Sequence, residues 1–90
     1  MISIHRVRGS SMAPNFNDKD LVLSLDFFYS LKKGDVILVE IPKIGTVIKR
    51  VQFIENNVLK ISGDNHEYTS NIYDDAFDID SVKGKVIFKF

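Results

Sequence analysis

The chain contains no cysteine, which excludes disulfides, thiolate metal sites and a cysteine nucleophile. Tryptophan is also absent, and proline and histidine occur only twice each. Two isolated histidines among scattered carboxylates have no recognisable ligand spacing, so no metal site is expected. Neither sign of charge dominates, because twelve basic residues face twelve acidic ones. A domain that grips a phosphate backbone usually carries a basic excess or stripe, so a nucleic-acid partner is not expected. No apolar run approaches the roughly 18–20 residues needed to span a bilayer. The charges within MISIHRVRGSSM also exclude a signal peptide at that position. The expectation is a soluble, cytoplasmic chain with no membrane span.

What remains is the composition of an ordinary globular domain, 44% hydrophobic and 27% charged. At 90 residues there is room for one domain with a thin core, so 1–90 is read as a single unit. Periodicity predicts strands rather than helices. Ile2 to Val7 reads as a first strand, ended by the Gly9-Ser10-Ser11 turn, and Leu21 to Leu25 as a second. Further strands are expected over Val36 to Ile41, Thr46 to Phe53, Val58 to Ser62 and Val82 to Phe90, with Glu55-Asn56-Asn57 as a hairpin loop. Gly63 to Asp80 is polar, acidic and too long for a simple turn, a length often associated with function. An exposed edge strand in so small a domain also makes a homodimer a candidate state.

The fourth predicted strand carries a local oddity. Alternation places Val47, Lys49, Val51 and Phe53 on one face and Ile48, Arg50 and Gln52 on the other. Lys49 is then the only charge on the more apolar face. A buried ammonium without a partner is costly, and desolvation favours the neutral amine, which is a base. Periodicity alone favours a plainer reading, in which the lysine head snorkels to the rim or the strand is covered on both faces.

Three ordered segments shift that balance. They are Gly9-Ser10-Ser11-Met12-Ala13-Pro14 with Asp20-Leu21-Val22-Leu23 behind it, then Lys33-Gly34-Asp35-Val36 with Ile48-Lys49-Arg50-Val51, and finally Ser62-Gly63-Asp64-Asn65. In this order and spacing they resemble the catalytic core of the type I signal peptidases and their LexA-like relatives. The resemblance implies a mainly β domain built on a bent antiparallel sheet, or partly open barrel. It also implies a serine endopeptidase that needs no cofactor and binds its protein or peptide substrate as an added β-strand. Ser11 matches the nucleophile of those families and Lys49 the general base. Met12 matches the residue packed beside the nucleophile, and Asp64 and Asn65 a box that supports the base-bearing region. Gly9 stands where many relatives have a serine that donates to the oxyanion, so the donors expected here are backbone N–H groups. Thr69, with Ser70 as an off-by-one substitute, falls where a serine orients the lysine. The Asp and Arg that follow in the family have no counterpart. Only ten residues precede Ser11, so neither an anchor nor a DNA-binding segment is expected ahead of it.

Other constellations have plainer explanations. Ser11, His66 and Asp64 could form a triad, but His66 and Asp64 on a loop are ordinary surface residues, as is His5. Asp74, Asp75, Asp78 and Asp80 could bind a hard cation, yet they lack the Gly and terminal Glu of an EF-hand loop. Phe27-Phe28-Tyr29 could form an exposed apolar lip, or could fill a core short of residues. The rival to an enzyme is a peptide-binding or regulatory module that keeps the fold without efficient catalysis.

Overall fold

The alternating segments become seven strands in the computed structural model, which describes residues 1–27, 30–67 and 71–90. These are β1 (Ile2–Arg6), β2 (Leu21–Leu25), β3 (Val36–Ile41), β4 (Gly45–Glu55), β5 (Val58–Ser62), β6 (Phe77–Asp78) and β7 (Val82–Lys89). All neighbours pair antiparallel, in the order β1-β2-β7-β3-β4-β5-β6. The sheet is mainly β architecture of the expected kind, bent and not closed.

Two apolar clusters lie on opposite faces of this sheet. Ile37, Val39, Ile41, Val51, Leu59, Ile61 and Val82 form the first. Val7, Met12, Val22, Val36, Leu38 and Ile48 form the second. Strand β3 contributes alternate residues to both, which is why it reads as an almost unbroken apolar run. The segment expected to be a polar loop covers the first cluster. It contains 3-10 turns at Asn71–Asp74 and Ile79–Ser81 as well as β6, and packs Tyr73, Phe77 and Ile79 against that cluster. The loop between β1 and β2 covers the second with Met12 and Phe16.

Turn chemistry fixes the registers near the site. Asn56 and Asn57 both take positive φ, 52° and 65°, giving the two-residue β4–β5 hairpin its mirror-image turn. Strand β4 departs from simple alternation at one point. Val51 pairs with Ile61 but Phe53 pairs with Lys60, so Gln52 is an extra residue, a β-bulge. The bulge turns Phe53 outward and directs Ile54 to the first cluster. Phe53 therefore does not share the face of Val47, Lys49 and Val51, contrary to the alternation read from sequence.

Candidate active site

Ser11 lies in the turn that follows β1. Gly9, two residues before it, has φ +82°, a left-handed conformation that glycine adopts without strain. Its N–H donates to Asp18 Oδ1 at 2.8 Å, closing the loop on itself. Met12 is 1% exposed within the second cluster and anchors the turn from below. Asn65 holds the turn from the side. Its backbone N–H donates to the Ser11 carbonyl and its Nδ2 to the Ser10 carbonyl, both at 2.9 Å.

Lys49 comes from the other cluster. It pairs with Ile37 across β3–β4, on the face of the first cluster, and is 7% exposed. Its amine leaves that face to donate to Ser11 Oγ at 2.6 Å and to the Tyr73 hydroxyl at 3.2 Å. The two side chains thus meet where the two cores adjoin, one anchored through Met12 and the other through β4.

Arg50, the next residue, points to the opposite face and locks the surroundings. Its Nε and NH2 donate to the two oxygens of Asp64 at 2.7 and 2.6 Å, and NH1 donates to the Gly34 carbonyl at 2.6 Å. Asp64 also accepts from Asn15 Nδ2 at 2.9 Å. These donors, Arg50 foremost, hold the Asp64 carboxyl below the usual carboxylate range. The same pairing raises Arg50 above the ordinary guanidinium value. The Arg50–Asp64 pair therefore links β4, the β2–β3 turn (through Arg50 and Gly34) and the loop that carries the serine (through Asp64 and Asn15), while Asn65 contacts the serine turn itself.

Gly63 makes this closeness possible. A Cβ there would stand 2.6 Å from the Ser11 carbonyl oxygen and would overlap the Tyr73 hydroxyl. The residue is thus needed for close approach of backbones rather than for an unusual φ.

Of the residues singled out from sequence, Ser11, Lys49, Gly9, Met12, Asp64 and Asn65 are gathered in this one region. Thr69 and Ser70 lie outside the described residues, as do Phe28 and Tyr29 of the aromatic run. Tyr73, which sequence reasoning missed, places its hydroxyl beside the lysine amine. The one available signal was an aromatic residue inside an acidic loop. His66 is exposed and Asp64 is engaged with Arg50 and Asn15, so the Ser–His–Asp alternative is not assembled. Among the described residues no group of three or more His, Asp or Glu is placed to hold a metal ion. Asp78 caps the turn after it by accepting from the Asp80 N–H.

A cleft of about 470 Å³ runs between β1 and the first half of β4. Its floor includes Val22, Leu38 and Ile48, and its walls are Ile4 to Arg8 and Ile44 to Val47. Pairing of β4 with β5 begins only at Arg50, and β1 pairs only with β2. Among the described residues, the cleft is therefore bordered by two strand edges with no sheet partner. No helix among those residues is long and apolar enough to cross a membrane.

The protein family described as Peptidase S24-like matches residues 2–87, nearly the whole chain. No curated protein matches the sequence.

Proposed function

The chain belongs to the Peptidase S24-like family, and on that premise we propose that it is a serine endopeptidase using a Ser11–Lys49 dyad. The observation that carries this reading is the 2.6 Å contact between Lys49 Nζ and Ser11 Oγ, within the range a general base requires. Serine is a weak nucleophile until a neighbouring base takes its proton. In the reaction the contact runs in reverse, with a neutral Lys49 amine accepting the Ser11 proton as Oγ attacks a peptide carbonyl. The same proton then passes to the leaving amine, and water hydrolyses the acyl-enzyme with Lys49 again as base. The Tyr73 hydroxyl holds the amine in line throughout. Backbone N–H groups at the serine turn meet the developing oxyanion, each worth about 3–4 kcal/mol.

The substrate is an extended segment of a protein or precursor, bound as a strand between the free edges of β1 and β4. Main-chain hydrogen bonds supply affinity in this mode, and alternate side chains supply specificity. Val22, Leu38 and Ile48 on the cleft floor receive one of the two sets.

The test compares wild type with Ser11→Ala and Lys49→Met on a denatured-protein or peptide library. Cleavage products should appear with wild type alone. Equal cleavage by both variants would remove the dyad. Binding of peptides by a wild type that cleaves nothing would instead identify a peptide-binding module. A pH–rate profile adds a second check, because an acid limb governed by an ionisation near 6.5 would point to histidine.

A further inference from the structure

Backbone hydrogen bonds decide which residues of β1 an added strand would meet. The Met1 carbonyl accepts the Asp26 N–H at 3.0 Å, and Val7 donates its N–H to the Asp20 carbonyl at 2.8 Å. Residues of an antiparallel strand alternate between turning both backbone groups to a partner and turning both away. The β1–β2 register runs unbroken from Ile2 to Arg6, so Ser3 and His5 turn to β2 as Met1 and Val7 do. Ile4 and Arg6 therefore present N–H and C=O to the free edge. Side chains divide in the same way. His5 opposes Val22, and Val7 is buried in the second cluster, so both belong to the face of the cleft floor. Ile4 and Arg6 project to the other face, where both are exposed.

A strand paired with that edge has two unlike sets of side chains. One set faces Val22, Leu38 and Ile48 on the floor. The other lies on the outward face, with one residue directly opposite Arg6 at a Cα separation of about 5.5 Å. Residues two apart on such a strand are about 7 Å apart, so the next outward side chain comes level with Arg8. Both arginines line the cleft together with His5, and no carboxylate lines it. Neither arginine has an ion-pair partner among the described residues. Glu40, beside the β4 wall, accepts from the Thr46 hydroxyl at 2.5 Å and lies outside the lining. Four of the twelve acidic residues, Asp74, Asp75, Asp78 and Asp80, belong to the segment that covers the first cluster instead. The cleft is basic although the chain is neutral.

We propose that the cleft selects protein segments in which acidic and apolar side chains alternate; the proposal rests on the peptidase reading for its choice of groove. Apolar residues enter the floor, and Glu or Asp residues of the outward set meet Arg6 and Arg8. A guanidinium can grip a carboxylate with two parallel hydrogen bonds, which suits arginine to reading such a set. Like charges directly opposite each other on a sheet repel, so lysine at the same positions is disfavoured.

Ser11→Ala, a change outside the cleft lining, is titrated with two fluorescent peptides of about ten residues, long enough to follow both edges. One peptide alternates Val with Glu and the other alternates Val with Lys. At low salt the Glu peptide should bind at least about tenfold tighter, and the gap should shrink toward about 0.5 M salt as the pairs are screened. Adding Arg6→Glu should abolish the preference without altering the far-UV circular dichroism. Adding Lys83→Glu, the same change in net charge on β7 outside the cleft, should leave the preference in place. Equal binding of the two peptides, binding of neither, or a preference that survives Arg6→Glu overturns the proposal. Cleavage by wild type separates the two readings. If a denatured-protein library is cleaved while the two peptides bind alike, the acidic selection falls and the dyad stands. If nothing is cleaved while the Glu peptide binds tighter, the selection stands and the peptidase reading falls.

Discussion

Gly63→Ala isolates the close approach on which the candidate site depends. The residue is outside the left-handed φ region, so alanine meets no backbone penalty there. Through the unfolded chain alone the substitution would stabilise by about 0.4–1 kcal/mol. Against that, the new methyl would stand 2.6 Å from the Ser11 carbonyl oxygen, where real Cβ atoms keep at least 3.0 Å. Backbone must therefore retreat by about 0.4 Å or more, an overpacking that typically costs about 1–3 kcal/mol. The carbonyl that moves is the one that accepts the Asn65 N–H at 2.9 Å, so the serine moves with it. The net expectation is a loss of about 1–2 kcal/mol in urea unfolding. If Ser11 is the nucleophile as proposed, its displacement should also lower kcat/KM on a cleaved peptide, up to about a hundredfold for a shift near 1 Å. Adding Tyr73→Phe relieves the side-chain overlap but not the clash with the backbone carbonyl, so the double variant should recover only part of the stability. If Gly63→Ala matches wild type in both unfolding midpoint and kcat/KM, the reasoning fails.

Three further substitutions test separate parts of the account. Lys49→Met removes a buried amine while keeping its stem, so stability should hold or rise, while peptide cleavage falls about a thousandfold or more. A large loss of stability would mean the amine is structural. Tyr73→Phe removes one 3.2 Å hydrogen bond to that amine. It should lower kcat about three- to tenfold with KM little changed, and an unaltered kcat would sever Tyr73 from the reaction. Asp64→Asn tests linkage. The Asp64 carboxyl lies below its unfolded value of about 3.9, so its contribution is complete above that pH and is lost as pH falls through the lower, folded value. Wild type should therefore be the more stable at pH 7, with the gap closing in acid denaturation below about pH 4; a constant gap across that range would contradict the assignment.

The strands were legible from sequence because side-chain alternation is a local property. Leu21–Leu25, Val36–Ile41 and Val58–Ser62 have the observed bounds, and Asn56-Asn57 announces its hairpin through the left-handed conformation that asparagine tolerates. The bulge at Gln52 was not legible. It is set by how β4 must bend to meet β5, and it sends Phe53 out and Ile54 in.

Ser11 and Lys49 divide along the same line. The sequence by itself placed a lone lysine on an apolar strand face and a serine in a glycine turn, 38 positions apart. It could not bring them together, because that distance is fixed by two cores on opposite faces of one bent sheet. Tertiary structure alone decided that Tyr73 stands beside the amine, that Asn65 grips the serine turn and that Arg50–Asp64 ties β4 to the serine-bearing loop. Such contacts join residues remote in the chain, so no short-range pattern records them. Their positions follow from how the sheet curls, which depends on every strand at once.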